Sequence, residues 1–162
     1  MSSKIVFTGG GSAGHVVPNL ALIDACLEEK ISVFYMGSEA GIERTLVAPL
    51  NIPYYAVATG KLRRYLSIKN FLDPFKVFLG IFQAWKYAGK IKPSLVFSKG
   101  GFVAFPVVFA AWLRGVPVIA HESDFTPGLA NRLSFPFVKK IAMTFPTTVK
   151  EKNVVTGTPL RK

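Results

Sequence analysis

Short apolar runs that do not alternate with polar residues constrain this chain most. Residues 4–8 (KIVFT), 31–36 (ISVFYM), 94–98 (SLVFS) and 116–120 (VPVIA) are dense in β-branched and aromatic side chains. A strand that is apolar on both sides needs cover on both faces, which is the condition of a parallel sheet. Helical patterns separate these runs, at residues 18–29, 42–50, 70–90, 103–113 and a short one at 128–134. In the first, Leu20, Ile23, Cys26 and Leu27 share a face, and Pro18 falls in the first turn, where it is tolerated. Gly115 reads as the C-cap of the fourth. Further strands are expected at 54–59, 140–144 and 153–156. Strand–helix alternation of this kind predicts an α/β fold, a Rossmann-like parallel sheet with helices on both faces. No repeat or internal linker divides the 162 residues, so one domain over 1–162 is expected.

Ligands of such sheets bind outside the carboxyl ends of the strands, so the loops that follow strands carry the search for chemistry. The first, TGGGSAGHVVPN, places Gly9, Gly11 and Gly14 in a G-x-G-x-x-G spacing between a strand and a helix. Glycines admit close backbone approach, and a helix start offers amides to a phosphate. A dinucleotide site would also want an acid at the end of the second strand; Glu39 is near, but a Gly-Ser pair separates it from the apolar run. His15 has no task in a dinucleotide loop. An imidazole there suits a general base or a partner for a hydroxyl or phosphate. The second loop, FSKGGFVAFP, offers Gly100 and Gly101 to a second anionic or sugar group, with Lys99 as a phosphate partner. The third, AHESDFTPG, sets His121, Glu122, Ser123 and Asp124 directly after an apolar strand. The two histidines have no metal-ligand spacing, so no metal is expected.

Charge narrows the partners. Twenty Lys plus Arg against nine Asp plus Glu give a formal charge of +11, which implies an anionic partner. Residues 61–92 hold Lys61, Arg63, Arg64, Lys69, Lys76, Lys86, Lys90 and Lys92, interleaved with Phe71, Phe75, Phe78, Phe82 and Trp85. A basic, aromatic-rich amphipathic segment suits an anionic membrane surface, and no nucleic-acid motif is present. The longest uncharged run of the apolar second half, residues 100–113, is too short to span a bilayer. No signal peptide is read at the start. The single cysteine, Cys26, reads as a small core residue in a cytosolic setting.

Taken together, GGGSAGHVVPNLAL, GSEAGIE, SKGGFVAFPVVFAAWLRGVPVIAHESD, PGLANR, FP and VTGTPLR resemble the MurG family of peptidoglycan glycosyltransferases. The pieces fall in the family's order along nearly the whole chain. The resemblance implies the N-terminal half of a GT-B glycosyltransferase, the half that binds the lipid I acceptor. A C-terminal domain holding most of UDP-N-acetylglucosamine would then lie outside this sequence. It implies transfer of N-acetylglucosamine to lipid I, making lipid II, at the cytoplasmic face of the cell membrane, without a cofactor. It assigns His15 acid/base or substrate-binding work. Gly10, Gly11, Ser12, Ala13 and Gly14 belong to the loop that meets the donor. Lys99, Gly100, Gly101 and Phe102 go to the loop at the acceptor diphosphate, His121, Glu122 and Asp124 to the third motif, and Arg161 to the domain junction. Three positions depart from the family pattern. HESD replaces HEQN, Phe102 stands where tyrosine is frequent, and Ala13 replaces a glycine. Two other readings remain open: a non-catalytic subunit that recruits a split glycosyltransferase to the membrane, and a dinucleotide-binding oxidoreductase domain.

Overall fold

The structure, a computed structural model, describes residues 3–60, 68–146 and 151–160, with residues 68–72 described in backbone only. Seven strands among them form one sheet: β1 (Lys4–Thr8), β2 (Ser32–Gly37), β3 (Tyr54–Ala56), β4 (Leu95–Ser98), β5 (Val118–Glu122), β6 (Lys140–Met143) and β7 (Asn153–Val155). The order is β3-β2-β1-β4-β5-β6-β7, and every pairing is parallel. The α-helices among the described residues are α1 (Val17–Glu28), α2 (Ile42–Val47), α3 (Ile68–Ile91), α4 (Ala104–Leu113) and α5 (Leu129–Ser134).

Both faces are covered, as the unbroken apolar strands require. Along β1, Val6 enters a core with residues of α3 and α4, including Ala84, Ile91, Val107 and Val108. The next residue, Phe7, points the other way and packs with Val16, Leu20 and Ile23 near α1. Strand period two thus feeds two cores from one sheet. Toward their carboxyl ends, α3 and α4 are pinned together by Arg114. Its Nε donates to the Trp85 carbonyl at 3.1 Å, and its guanidinium lies 3.7 Å from the Trp85 ring centroid. Cys26 is only half-buried, in α1.

Two boundaries differ from the sequence reading in ways that matter. The third strand stops at Ala56 rather than residue 59, because its one neighbour, β2, pairs only as far as Gly37. The fifth strand continues through His121 and Glu122, which pair with Ala142 and Met143. Both side chains are therefore strand residues, 1% and 2% exposed, and not loop residues. Pairing with β6 outweighs the polar character of the dipeptide.

Core and surface aromatics should respond differently to truncation. Phe7, 2% exposed, should lose about 3–5 kcal/mol on replacement by alanine. Phe78, 71% exposed, should change stability by less than about 0.5 kcal/mol. Urea unfolding of F7A and F78A checks both.

Candidate functional site

The chain builds β1, β2 and β3 outward, then returns through α3 to build β4 on the other side of β1. Strand order reverses between β1 and β4, and a crevice opens there at the carboxyl ends. The loops leaving these two strands touch. The Lys99 amide donates to the Thr8 carbonyl at 2.9 Å, and the Gly10 amide donates to the Gly100 carbonyl at 3.2 Å. Gly101 has φ +82°, and a β-carbon on it would lie 2.1 Å from the Gly10 oxygen. Gly100 has φ +95° and faces the Asn131 amide, 2.1 Å from where its own β-carbon would stand. Both positions are closed to any other residue by sterics and by backbone conformation.

The third motif closes the other side. The Glu122 carboxylate accepts from Asn131 Nδ2 at 2.8 Å and from the Asp124 amide at 2.9 Å. This fastens the loop after β5 to α5. The three loops enclose a cavity of about 260 Å3, with Gly10, Gly11, Ser12, His15, Gly101, Phe102, Glu122 and Asp124 in its wall. Gly128 to Asn131 complete it.

His15 ends the 3-10 turn Ala13–His15 that precedes α1. Its Nδ1 lies 3.3 Å from the Lys99 carbonyl oxygen. A carbonyl can only accept, so Nδ1 carries the proton and Nε2 keeps its lone pair. Burial lowers the His15 pKa, and the Lys99 charge lowers it further. The ring is therefore neutral near pH 7, as a base must be.

Lys99 and His121 are not where sequence reasoning placed them. Lys99 is 1% exposed. It lies beneath the cavity wall and donates from Nζ to Ser123 Oγ at 3.0 Å. Burial lowers its pKa, with Glu122 and Asp124 opposing that shift. His121 is likewise inside. Its Nε2–H donates to the Gly157 carbonyl at 2.9 Å, tying β5 to the segment after β7, while Nδ1 is buried without a partner among the described residues. Ala13 and Gly14 are exposed on the 3-10 turn, and Arg161 lies outside the described residues. Among those residues no cluster of His, Cys, Asp and Glu could hold a metal ion.

Two side chains that sequence reasoning passed over matter here. Asn131, in PGLANR, joins Glu122 to the Gly100 turn. Glu43, in GSEAGIE, is fully buried and accepts from the Gly11 amide at 3.2 Å. Glu39, the acid considered for a ribose, is exposed beyond β2. Only the quoted motifs could have pointed to Glu43 and Asn131, since both lie inside helices among ordinary polar neighbours.

A glycine-built crevice at the strand-order reversal of a seven-stranded parallel sheet defines a Rossmann-like domain of the GT-B type. Comparison with known proteins narrows this. Residues 5–143 match the model of the glycosyltransferase family 28 N-terminal domain, and the chain belongs to that family. A UDP-N-acetylglucosamine–N-acetylmuramyl-(pentapeptide) pyrophosphoryl-undecaprenol N-acetylglucosamine transferase of Legionella pneumophila strain Lens is 60% identical over the whole chain and 46% of its own length. The transferase of the same name from Clostridium kluyveri is 58% identical over 98% of this chain and 46% of its own. Among solved structures, Acinetobacter baumannii MurG superposes with a TM-score of 0.83 at 29% identity, over 99% of this chain and 46% of that one. The resemblance to MurG read from the loops therefore holds. The chain spans about half the length of the curated relatives it matches. A UDP-GlcNAc 2-epimerase from Neisseria meningitidis, at 14% identity and a TM-score of 0.60, shares the fold alone.

Both imidazoles should titrate below the ordinary value near 6.5, His15 and His121 alike being held down first by burial. A depressed histidine binds its proton more readily in the unfolded chain. Its stabilising contribution is thus complete above pH 6.5 and is lost as pH falls through the folded-state pKa values. Histidine ring NMR from pH 8 to 4, with urea unfolding at the same pH values, should show both; midpoints at or above 6.5 would contradict this account of the site.

Proposed function

We propose that this chain is the acceptor-binding domain of a MurG-like inverting glycosyltransferase that moves N-acetylglucosamine from UDP-N-acetylglucosamine to lipid I, making lipid II. The observation that carries this reading is the meeting of three loops around one cavity, with the lone pair of His15 Nε2 left free beside it. The sequence places the first loop some 80 residues and more before the other two, His15 and Lys99 being 84 positions apart, and their meeting is what a two-substrate site requires. The 60% identity to a transferase of that activity supports the same assignment.

Inverting transfer joins an acceptor oxygen to the anomeric carbon as the bond from that carbon to the diphosphate oxygen breaks. The proton of the acceptor hydroxyl must leave as the new bond forms. In this reading His15 Nε2 takes it, and Nδ1–H···O=C of Lys99 orients the ring. The leaving diphosphate and the lipid diphosphate are stabilised by backbone amides of the glycine loops other than those of Gly10 and Gly11, which are bonded within the protein. Asp124, in the cavity wall, accepts hydrogen bonds from sugar hydroxyls; an ionised carboxylate there cannot donate as the family's asparagine would. Phe102 gives the wall an apolar surface where a tyrosine would add a hydroxyl.

The acceptor carries a polyprenyl tail, and α3 offers a surface suited to the bilayer that holds it. Phe75, Phe78, Leu79 and Phe82 are 51–71% exposed on one side of the helix, with Lys76, Lys86 and Lys90 exposed beside them. Apolar side chains enter the acyl boundary while lysines meet anionic headgroups. Of the basic run 61–92, residues 61–67 lie outside the described residues. No described helix is long and apolar enough to cross a membrane, and the proposal places the protein on the cytoplasmic face. The oxidoreductase reading loses support from the first loop, where the Gly10 and Gly11 amides are already bonded within the protein.

Two measurements test this. An amide NMR titration with a soluble, short-chain lipid I analogue should shift resonances at residues 10–15, 100–102 and 122–124 together; shifts elsewhere, or none at millimolar analogue, would sink the acceptor-site assignment. Sedimentation with anionic vesicles should show binding that weakens with salt but keeps an apolar remainder. F78A and F82A should each lower that binding about tenfold. Loss of all binding at high salt would indicate a purely electrostatic partner such as nucleic acid.

A further inference from the structure

Glu43 is a carboxylate with 0% exposure, placed by the first turn of α2 and used by no step above. Its hydrogen-bond partners among the described residues are all neutral donors. One oxygen accepts from the Ser38 amide at 2.9 Å and from the Ser38 hydroxyl; the other accepts from the Gly11 amide at 3.2 Å. Three glycines make room for this one side chain. A β-carbon on Gly10 would come 2.4 Å from Glu43 Cδ, one on Gly37 would come 2.9 Å from Cγ, and one on Gly41 would come 2.3 Å from Oε1. The carboxylate is thus threaded through a slot left by three glycines, one in the loop after β1, one ending β2 and one at the N-cap of α2. Burying a charge this completely is costly unless its acceptor sites are filled, and here each filled site fixes a piece of backbone.

That backbone is the cavity wall. Gly11 adopts φ +85°, and Phe102 covers the position its β-carbon would take. The Gly10 amide is held by the Gly100 carbonyl. With the Gly11 amide held by Glu43, two consecutive glycine amides are committed inside the protein. The loop then leaves this anchorage toward Ser12, Ala13 and Gly14, which are exposed and enter the turn before α1. Tyr35 and Tyr54 reinforce the same frame, their hydroxyls donating to the Gly9 and Ser38 carbonyls at 2.7 and 2.6 Å.

We propose that Glu43 is a positioning residue for the substrate site: through the Gly11 amide it fixes the first glycine loop, and so determines where Ser12 to His15 stand relative to the ligand. The proposal rests on the reading that this loop meets substrate. It extends that reading to a residue on another element, 32 positions away, that never touches the ligand.

Glu43→Gln is the informative change. The Gln oxygen can still take both Ser38 donors. Its NH2 group then faces the Gly11 amide, donor against donor. Ser38→Ala is the control, since it removes a hydrogen bond from the same buried carboxylate but leaves the Gly11 contact in place. The first readout needs no ligand: amide exchange of the folded chain by NMR. Gly11 should be protected in the wild type and in S38A and should exchange at least tenfold faster in E43Q, with altered shifts through His15. The second readout is a titration with UDP-N-acetylglucosamine followed at residues 12–15. Affinity should fall about tenfold in E43Q and hold in S38A at comparable loss of unfolding stability. Equal Gly11 exchange in wild type and E43Q would overturn the proposal, as would equal loop displacement in S38A and E43Q. If E43Q does not fold, unprotected Gly11 in the wild type overturns it alone. A wild-type chain that ignores the nucleotide sugar would count against the ligand reading, while the exchange comparison would still decide the role of Glu43.

Discussion

Two backbone turns meet at the carboxyl ends of β1 and β4 with no β-carbons between them, and the rest of the site depends on that contact. The Gly101 Cα approaches the Gly10 carbonyl too closely for any other residue, and Gly100 stands equally close to Asn131. Pairing of β1 with β4 brings the turns together. The long return through α3 makes these strands neighbours although some 90 residues separate them in sequence. The third loop can then be fastened to the second through Asn131 and Glu122, and His15 can be oriented by a carbonyl of the second loop. Each later contact uses a geometry the earlier one has fixed.

Around this neutral contact the protein distributes buried charge. Lys99 sits under one side with Ser123, Glu122 and Asp124 near it, and Glu43 sits under the other with only neutral donors. The ligand-facing surface itself is mostly backbone and small side chains. The arrangement keeps His15 neutral through burial and a nearby ammonium while leaving a carboxylate, Asp124, at the wall. Such fixed charges in a partly desolvated setting act more strongly than they would in water.

Much of this was legible in the sequence. Unbroken apolar strands dictated a parallel sheet with two covered faces, and glycines after β1 and β4 marked the crevice, because a strand-end glycine cluster is costly unless two backbones must approach. What was not legible depended on long-range packing. His121 and Glu122 read as loop residues because they are polar, and only the β6 partner makes them strand. Lys99 read as a phosphate partner, since nothing local reveals that its stem would be covered and its ammonium met by Ser123. Glu43 drew no reading beyond its place in GSEAGIE. Its role comes from glycines at positions 10, 37 and 41, which no local window connects.

A wall made of main chain has a consequence for how this domain can change over generations. Amides and carbonyls are common to every amino acid, so a glycine turn cannot be retuned by substitution; it can only be kept or broken. The adjustable parts of the cavity are the few positions that present side chains to it from outside the contact, chiefly Phe102, Asp124 and Leu129. Divergence toward a new ligand would therefore have to proceed through these few positions while the glycine frame stays constant, which gives the domain a narrow but low-risk route to altered specificity.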